Sequence, residues 1–172
     1  MEELFKQVES AATQGLWYPA LLASLEIPDI CGAMASPDGR ATPGRYIAWF
    51  DRYVGPKYYI PEFTVFTGRD CWNLRCSMLH QGSTVKTTSR YERLVFRPKG
   101  GHLGAFPDIE VDGTKTSLLT LEIPAFCKDI VDGGTVWLTE VKETPEFKRN
   151  FEKFMQARPN GLPGLIGGWI IT

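Results

Sequence analysis

The sequence predicts an α+β fold that is mainly α-helical and forms a single domain over residues 1–172. Apolar residues recur at the spacing of amphipathic helices as far as Gly82, and this periodicity is lost beyond it. Asp112 and Gly113 then form a hairpin signal between two apolar runs. We therefore expect a helical bundle over residues 1–82, followed over residues 83–172 by a small antiparallel sheet and two further helices.

Composition restricts the class of protein. Hydrophobic residues make up 43% of the chain, which is enough for a sizeable core, and the net charge of −1 means that a nucleic-acid site would have to be a local patch. No apolar run reaches membrane-spanning length, and the acidic start of the chain lacks the apolar core of a signal peptide. We therefore expect a cytoplasmic protein with no membrane partner. The four cysteines form no metal-binding pattern, and the sequence predicts neither a metal site nor a cofactor.

Three helices are predicted in the first 54 residues. The first, over residues 2–14, has an amphipathic pattern and is closed by Gly15. The second, over residues 16–34, is apolar on nearly every side and belongs at the centre of the bundle, with Pro28 expected to kink or interrupt it. The third begins at Thr42 and Pro43, in the N-cap and first-turn positions, and runs to about Val54.

The third helix carries an aromatic face that predicts a homodimer. The large aromatic side chains of this helix and the next exceed what one small bundle readily buries: Tyr46, Trp49, Phe50, Tyr53 and Trp72. We expect a symmetric contact through the third helix, the fourth helix or both.

The fourth predicted helix, over residues 67–82, has a charge within its apolar face. Thr67 and Asp70 fit a capping box, and Gly82 fits a C-terminal stop. The apolar residues of this helix cover an arc of roughly 200°, and Arg75 lies near the centre of that arc. Since a buried charge is costly without a partner, Arg75 requires an acidic side chain, an anionic ligand or a second subunit.

Asp29 is the first candidate for the partner of Arg75, and Glu26 is the second. Asp29 lies among apolar residues of the second helix, where an unpaired carboxylate would be costly. In the alternative interpretation, Asp29 merely caps the turn after Pro28, as aspartate often does.

Arg75 and His80 also carry a resemblance to a known family. With Cys76, Ser77, Met78 and Leu79 between them, they match the Arg-x4-His signature of HEPN domains, and the phrase LRCSMLHQG resembles bacterial members of that superfamily. The resemblance covers roughly residues 16–82. In this sequence Cys76 stands where many active HEPN ribonucleases have a polar residue.

The resemblance implies a HEPN-like helical bundle and a metal-independent endoribonuclease of the toxin or defence type that acts on single-stranded RNA. It further implies a homodimer in which paired motifs line a cleft, and an antitoxin-like protein as a cognate partner. The alternative is a non-catalytic HEPN-like module that binds nucleotide, RNA or a partner protein. A weaker third alternative is a thiol-dependent enzyme that uses Cys76 or Cys71.

The chemistry of the signature suits RNA cleavage. His80 would take the proton from a ribose 2′-hydroxyl, and Arg75 would stabilise charge on the phosphate. Asn73 and Ser77, on the more polar side of the same helix, are supporting candidates. On an ideal helix the directions of Arg75 and His80 differ by about 140°, so a frayed last turn or a second copy of the chain would be needed to bring them together.

A basic segment follows the fourth helix and is the predicted RNA-binding surface. Its candidate residues are Lys86, Arg90, Arg93 and Arg97. In the alternative interpretation, the acidic residues of 107–146 neutralise this segment across a sheet.

The remaining predictions concern the last third of the chain. We interpret the glycine-rich loop around His102 as a mobile turn. A helix is expected over residues 125–141, where Gly133 and Gly134 weaken or break it, and a final helix is expected over residues 146–156.

Overall fold

Helices dominate the first half of the chain, in agreement with the α+β prediction. The structure is a computed structural model that describes residues 1–60, 63–85, 88 and 90–172. Its first helices are α1 (Glu2–Thr13), α2 (Trp17–Met34), α3 (Pro43–Tyr53) and α4 (Gly68–Gln81). A short 3-10 helix (Gly55–Tyr58) and the two-residue strands β1 (Tyr59–Ile60) and β2 (Phe63–Thr64) connect α3 to α4.

The predicted caps define the ends of these helices. The Thr42 side chain accepts from the Arg45 amide at the start of α3. At the start of α4, Thr67 and Asp70 form the predicted capping box, and Gly82 closes the helix in the left-handed conformation at φ 63°. These local signals confirm the fourth helix as predicted.

Helix α2 lies at the centre of the bundle. It packs against α1, α3, α4, α5 and α6, which is why its apolar residues cover nearly every side. Pro28 is inside the helix and does not interrupt it. Among the helices of the described residues, none combines the length and the apolar surface that a membrane crossing requires.

The second half adds a three-stranded sheet, made of β3 (Arg93–Arg97), β4 (Leu103–Val111) and β5 (Thr114–Glu122). The predicted hairpin is present, with Asp112 and Gly113 both at positive φ between β4 and β5. The antiparallel pairing of β4 with β5 is as predicted, but β3 joins the sheet in parallel with β5, in the strand order β3-β5-β4, so the sheet as a whole is mixed. The central strand is β5, which lies between its hairpin partner β4 and β3. Its Leu119 and Leu121 are buried.

Helix α5 (Ile123–Val141) joins the sheet to the bundle without a break at its glycines. A Cβ at Gly133 would lie 2.9 Å from Val54 Cγ2, and one at Gly134 would lie 2.7 Å from Phe5 Cζ. The two glycines thus let α5 approach its neighbours closely, which offsets their low helix propensity. The buried apolar side chains form one cluster that runs from α1 to α6.

The final helix is shorter than predicted. Helix α6 (Pro145–Phe151) ends five residues before the predicted boundary, and turns lead to the two-residue strands β6 (Ala157–Arg158) and β7 (Ile170–Ile171). The phenylalanine spacing that predicted a longer helix continues as ring stacking through the turn. Phe147 stacks on Phe151 at 5.2 Å between ring centroids, and Phe151 stacks on Phe154 at 5.7 Å.

Candidate functional site

Arg75 of α4 forms an ion-pair cluster with two carboxylates of α2. Its Nη2 lies 2.9 Å from Asp29 Oδ2 and donates to Glu26 Oε2 at 3.3 Å, while its Nε lies 3.2 Å from Glu26 Oε1. The guanidinium carbon lies 5.3 Å from the centre of the Trp72 ring, a cation–π distance. The Arg75 side chain is only 19% exposed. The predicted burial of Arg75 and its pairing with Asp29 are therefore confirmed.

Asp29 is the buried member of this cluster, with 9% of its side chain exposed against 35% for Glu26. It lies inside α2 rather than at a turn, so the interpretation of Asp29 as a cap after Pro28 is wrong. Burial raises the pKa of Asp29, and the neighbouring Arg75 offsets part of that rise. Burial lowers the pKa of Arg75, but Asp29 and Glu26 raise it by more, so the guanidinium stays charged.

His80 and the two supporting residues are more accessible. His80 and Asn73 are exposed and Ser77 is half-buried. In the described part of the chain, the His80 side chain makes no hydrogen bond or ion pair. Because α4 remains helical to Gln81, a frayed last turn does not redirect His80 toward Arg75. The structure therefore brings Asp29 and Glu26 to Arg75, but it does not add His80 to that group within one chain.

The apolar face of α4 is less buried than the sequence predicts. Leu74 and Cys71 are fully buried, whereas Cys76 and Met78 are half-buried and Leu79 is exposed. The second half of α4, where both signature residues lie, is thus only partly covered by the residues that the structure describes.

Cys71 is excluded as a reactive thiol. It is fully buried, its Sγ lies 3.2 Å from the hydroxyl of Tyr46, and burial raises its pKa well above the ordinary value. Of the two thiols considered in the sequence, only Cys76 is accessible.

Most of the aromatic residues that were expected to form a dimer contact are buried within the chain. Tyr46, Trp49 and Phe50 are buried within the chain itself, where the Tyr46 ring meets the Trp72 ring edge-on at 5.2 Å. α3 packs on both α2 and α4, so a single chain hides more aromatic surface than one amphipathic face suggests.

The basic segment is exposed where the structure describes it. Arg90 and Arg93 are exposed and Arg97 is half-buried, while Lys86 lies outside the described residues. In the described ranges, no carboxylate of 107–146 forms a salt bridge with Arg93 or Arg97. The acids of that region pair instead with lysines and an arginine elsewhere: Lys57 with Asp129 and Asp132, Arg52 with Glu140, and Lys148 with Glu143.

A second polar cluster, absent from the sequence predictions, surrounds the buried Asp129 of α5. Asp129 Oδ1 accepts from Lys57 Nζ at 2.8 Å, and Oδ2 accepts from the Tyr58 hydroxyl at 2.9 Å. His102 Nε2 contacts the same Oδ2 at 2.5 Å. The cluster joins α5 to the 3-10 helix and to the loop that precedes β4. Burial, followed by the charge of Asp129, raises the pKa of Tyr58, so that its hydroxyl remains a protonated donor.

Hydrogen bonds tie the glycine-rich loop around His102 to β5 and α5. The Gly101 amide donates to Glu122 Oε2 at 2.7 Å, and the Glu122 amide donates to the His102 carbonyl at 3.1 Å. A histidine oriented by a buried carboxylate can transfer protons, but Lys57 and Tyr58 also engage this carboxylate and give it a structural role.

Neither cluster has the composition of a metal centre. No group of three or more metal-binding side chains converges in residues 1–60, 63–85, 88 and 90–172. Comparison of the chain with protein-family models, with curated proteins and with solved structures found no match. The function is therefore argued from the residues and their geometry.

Proposed function

We propose that the protein is a metal-independent endoribonuclease of the toxin or defence type that acts on single-stranded RNA as a homodimer. The observation that carries the proposal is the state of Arg75, which is charged, held in place, and next to the incompletely covered half of α4. Glu26 and Asp29 engage Nε and Nη2, so Nη1 is the nitrogen that would meet a phosphate. The likeness of the Arg75 and His80 spacing to the HEPN signature supports the same function.

The proposed reaction needs two proton transfers and one developing charge. A ribose 2′-hydroxyl attacks the adjacent phosphorus and gives its proton to His80. The bond to the 5′-oxygen breaks, that oxygen takes a proton, and a cyclic phosphate and a 5′-hydroxyl result. Arg75 stabilises the negative charge that builds on the phosphate oxygens.

The directions of the two side chains support a dimer as part of this proposal. With α4 helical to Gln81, Arg75 and His80 of one chain point about 140° apart, so a shared site would pair Arg75 of one copy with His80 of the other. The exposed Leu79 and half-buried Met78 supply apolar surface for such a contact. Two copies would also supply two histidines, one to remove the proton and one to return it.

The pairing of Arg75 with two carboxylates favours a second candidate. Two carboxylates already face this one guanidinium, which suits a structural ion pair in a non-catalytic module that binds nucleotide, RNA or a partner protein. An antitoxin-like protein would be the expected partner of a toxin and a possible ligand of such a module.

The two candidates differ in one assay. The protein is expected to cut single-stranded RNA in the presence of EDTA, because the proposed groups are an imidazole and a guanidinium. A DNA strand of the same sequence should survive, since it lacks the attacking 2′-hydroxyl. Binding of RNA without any cleavage would replace the nuclease with the binding module. A monomer in light scattering at tens of micromolar would remove the shared site.

A further inference from the structure

The three-stranded sheet has one face that the described residues, 1–60, 63–85, 88 and 90–172, leave largely exposed. Leu94, Leu119 and Leu121 point to the buried face, and Phe96 on the same side contacts Phe126 of α5 at 5.7 Å between ring centroids. Because side chains alternate along a strand, the intervening residues form the opposite face. We call this the outer sheet face, and its residues are Arg93, Val95 and Arg97 of β3, Leu118 and Thr120 of β5, and Gly104 and Phe106 of β4.

Phe106 lies across this face over a glycine. A Cβ at Gly104 would lie 3.1 Å from Phe106 Cε2 and 2.8 Å from Thr120 Oγ1, so any larger residue would displace the ring. The ring is nevertheless 45% exposed, while Thr120 beneath it is buried. The absence of a side chain at Gly104 thus lets an aromatic ring lie against the sheet with its other side in solvent.

The strand register places a cation in the same row as this ring. Leu118 of the central strand pairs with Phe106 on one side and with Arg93 on the other. Two strand spacings separate Arg93 from Phe106, or about 10 Å. Val95, 40% exposed, lies in the next row of the same face, between Arg93 and Arg97 along β3.

The charges of the outer sheet face are not neutralised within the described ranges. No carboxylate there forms a salt bridge with Arg93 or Arg97, and Arg97 Nε is buried without a hydrogen-bond partner. Glu122 is next to Arg97 in the register, but its Oε2 accepts from the Gly101 amide. The protein as a whole carries a net charge of −1, so this is a local positive surface on a nearly neutral molecule.

We propose that the outer sheet face binds single-stranded RNA, with one base stacked on the ring of Phe106 and a neighbouring phosphate on Arg93. The proposal rests on the proposed function, because it takes the substrate class from it. An exposed aromatic ring stacks on any base, and an arginine two strands away on the same face can reach a phosphate that flanks that base. A duplex cannot present a base to the ring, because its bases are stacked on one another.

The test is binding of a fluorescent single strand of 2′-O-methyl RNA, which lacks the attacking hydroxyl and stays intact. Phe106→Ala is expected to raise the Kd about 5- to 150-fold, the range for the loss of one base–aromatic stack. Phe106→Leu keeps the apolar contact but not the ring, and should weaken binding similarly, whereas Phe106→Tyr should bind like the parent. Arg93→Ala should reduce the slope of log K against log salt by about 0.7, the value for one phosphate of a single strand.

Tyr18→Ala is the matched control, because Tyr18 is an exposed aromatic residue of α2 and not of the sheet. It should leave the Kd unchanged. Unchanged binding by Phe106→Ala, or an equal loss in Phe106→Ala and Tyr18→Ala, would overturn the proposal. Failure of the parent protein to bind any single strand would also overturn the proposal. If Phe106→Ala then dissociates a dimer, the outer sheet face is an interface between copies.

The outcomes separate this proposal from the nuclease. Binding that depends on Phe106, without cleavage of ordinary RNA, would keep the outer sheet face as a binding site and remove the enzyme. Cleavage with parent-like kcat/KM and Kd in Phe106→Ala would keep the enzyme and place its substrate elsewhere.

Discussion

Asp29→Ala is expected to lower the free energy of unfolding by about 3–5 kcal/mol, the cost of removing one partner of a buried ion pair. The variant leaves the guanidinium of Arg75, only 19% exposed, with Glu26 as its remaining carboxylate. It also leaves a small cavity between α2, the central helix of the bundle, and α4. Urea unfolding followed by circular dichroism measures the difference.

Glu26→Ala is the matched control, since it removes a carboxylate from the same guanidinium at a more exposed position. Its expected cost is about 1 kcal/mol or less. Equal costs for the two variants, or a loss below about 1 kcal/mol for Asp29→Ala, would show that the Asp29 contact does not hold α4 on α2.

Asp29→Asn tests the same pair through pH. Burial raises the pKa of Asp29 in the folded state above its unfolded value, so the folded protein binds the Asp29 proton more tightly. This contribution to stability is complete below the unfolded pKa and is lost as the pH rises through the folded pKa. The stability of the parent relative to Asp29→Asn should therefore decrease as the pH rises from below about 4. An increase over that interval would reverse the assigned direction of the shift.

Asp129→Ala is expected to cost a similar amount, about 3–5 kcal/mol, because three donors lose their common acceptor. Tyr58 is fully buried, so its hydroxyl would be left without a partner, while Lys57 would keep Asp132. The loop that carries His102 would lose its contact with α5. Chemical unfolding measures the loss, and hydrogen exchange at residues 100–104 measures the release of the loop.

Asp132→Ala is the control for this cluster. Asp132 binds the same Lys57, but its side chain is 40% exposed, so its removal should cost about 1 kcal/mol or less. A cost for Asp129→Ala that is no larger than that of Asp132→Ala would mean that the Asp129 cluster does not stabilise the fold.

The features that could be predicted from the sequence are those with local signals. The capping box and the terminal glycine of α4 act within four residues of the helix ends, and both are present. The helical position of Arg75 places it in the apolar face of α4, and a charge in that face predicted an acidic partner. Asp29 was the first candidate because it lies among apolar residues of α2, and it is the more buried of the two acids that meet Arg75.

The features that escaped prediction depend on distant parts of the chain. Gly133 and Gly134 weaken a helix locally. The close approach of Val54, which follows α3, and of Phe5 in α1 explains why they are tolerated. The parallel pairing of β3 with β5 depends on where the hairpin is inserted, which no local pattern specifies. Asp129 gave the same signal as Asp29, an acid among apolar helical residues, but its partners lie 27 and more residues away, in a loop and a 3-10 helix.

The most direct test of the account compares the two histidines of the chain in single-turnover cleavage of single-stranded RNA in EDTA. His80→Ala is expected to lower the rate about 10²-fold or more with little loss of RNA affinity, because a general base is removed from an exposed position. His102→Gln, which alters the histidine held by Asp129, should cleave at close to the parent rate. Cleavage by His80→Ala at the parent rate would contradict the account, and a loss confined to His102→Gln would move the base to the Asp129 cluster.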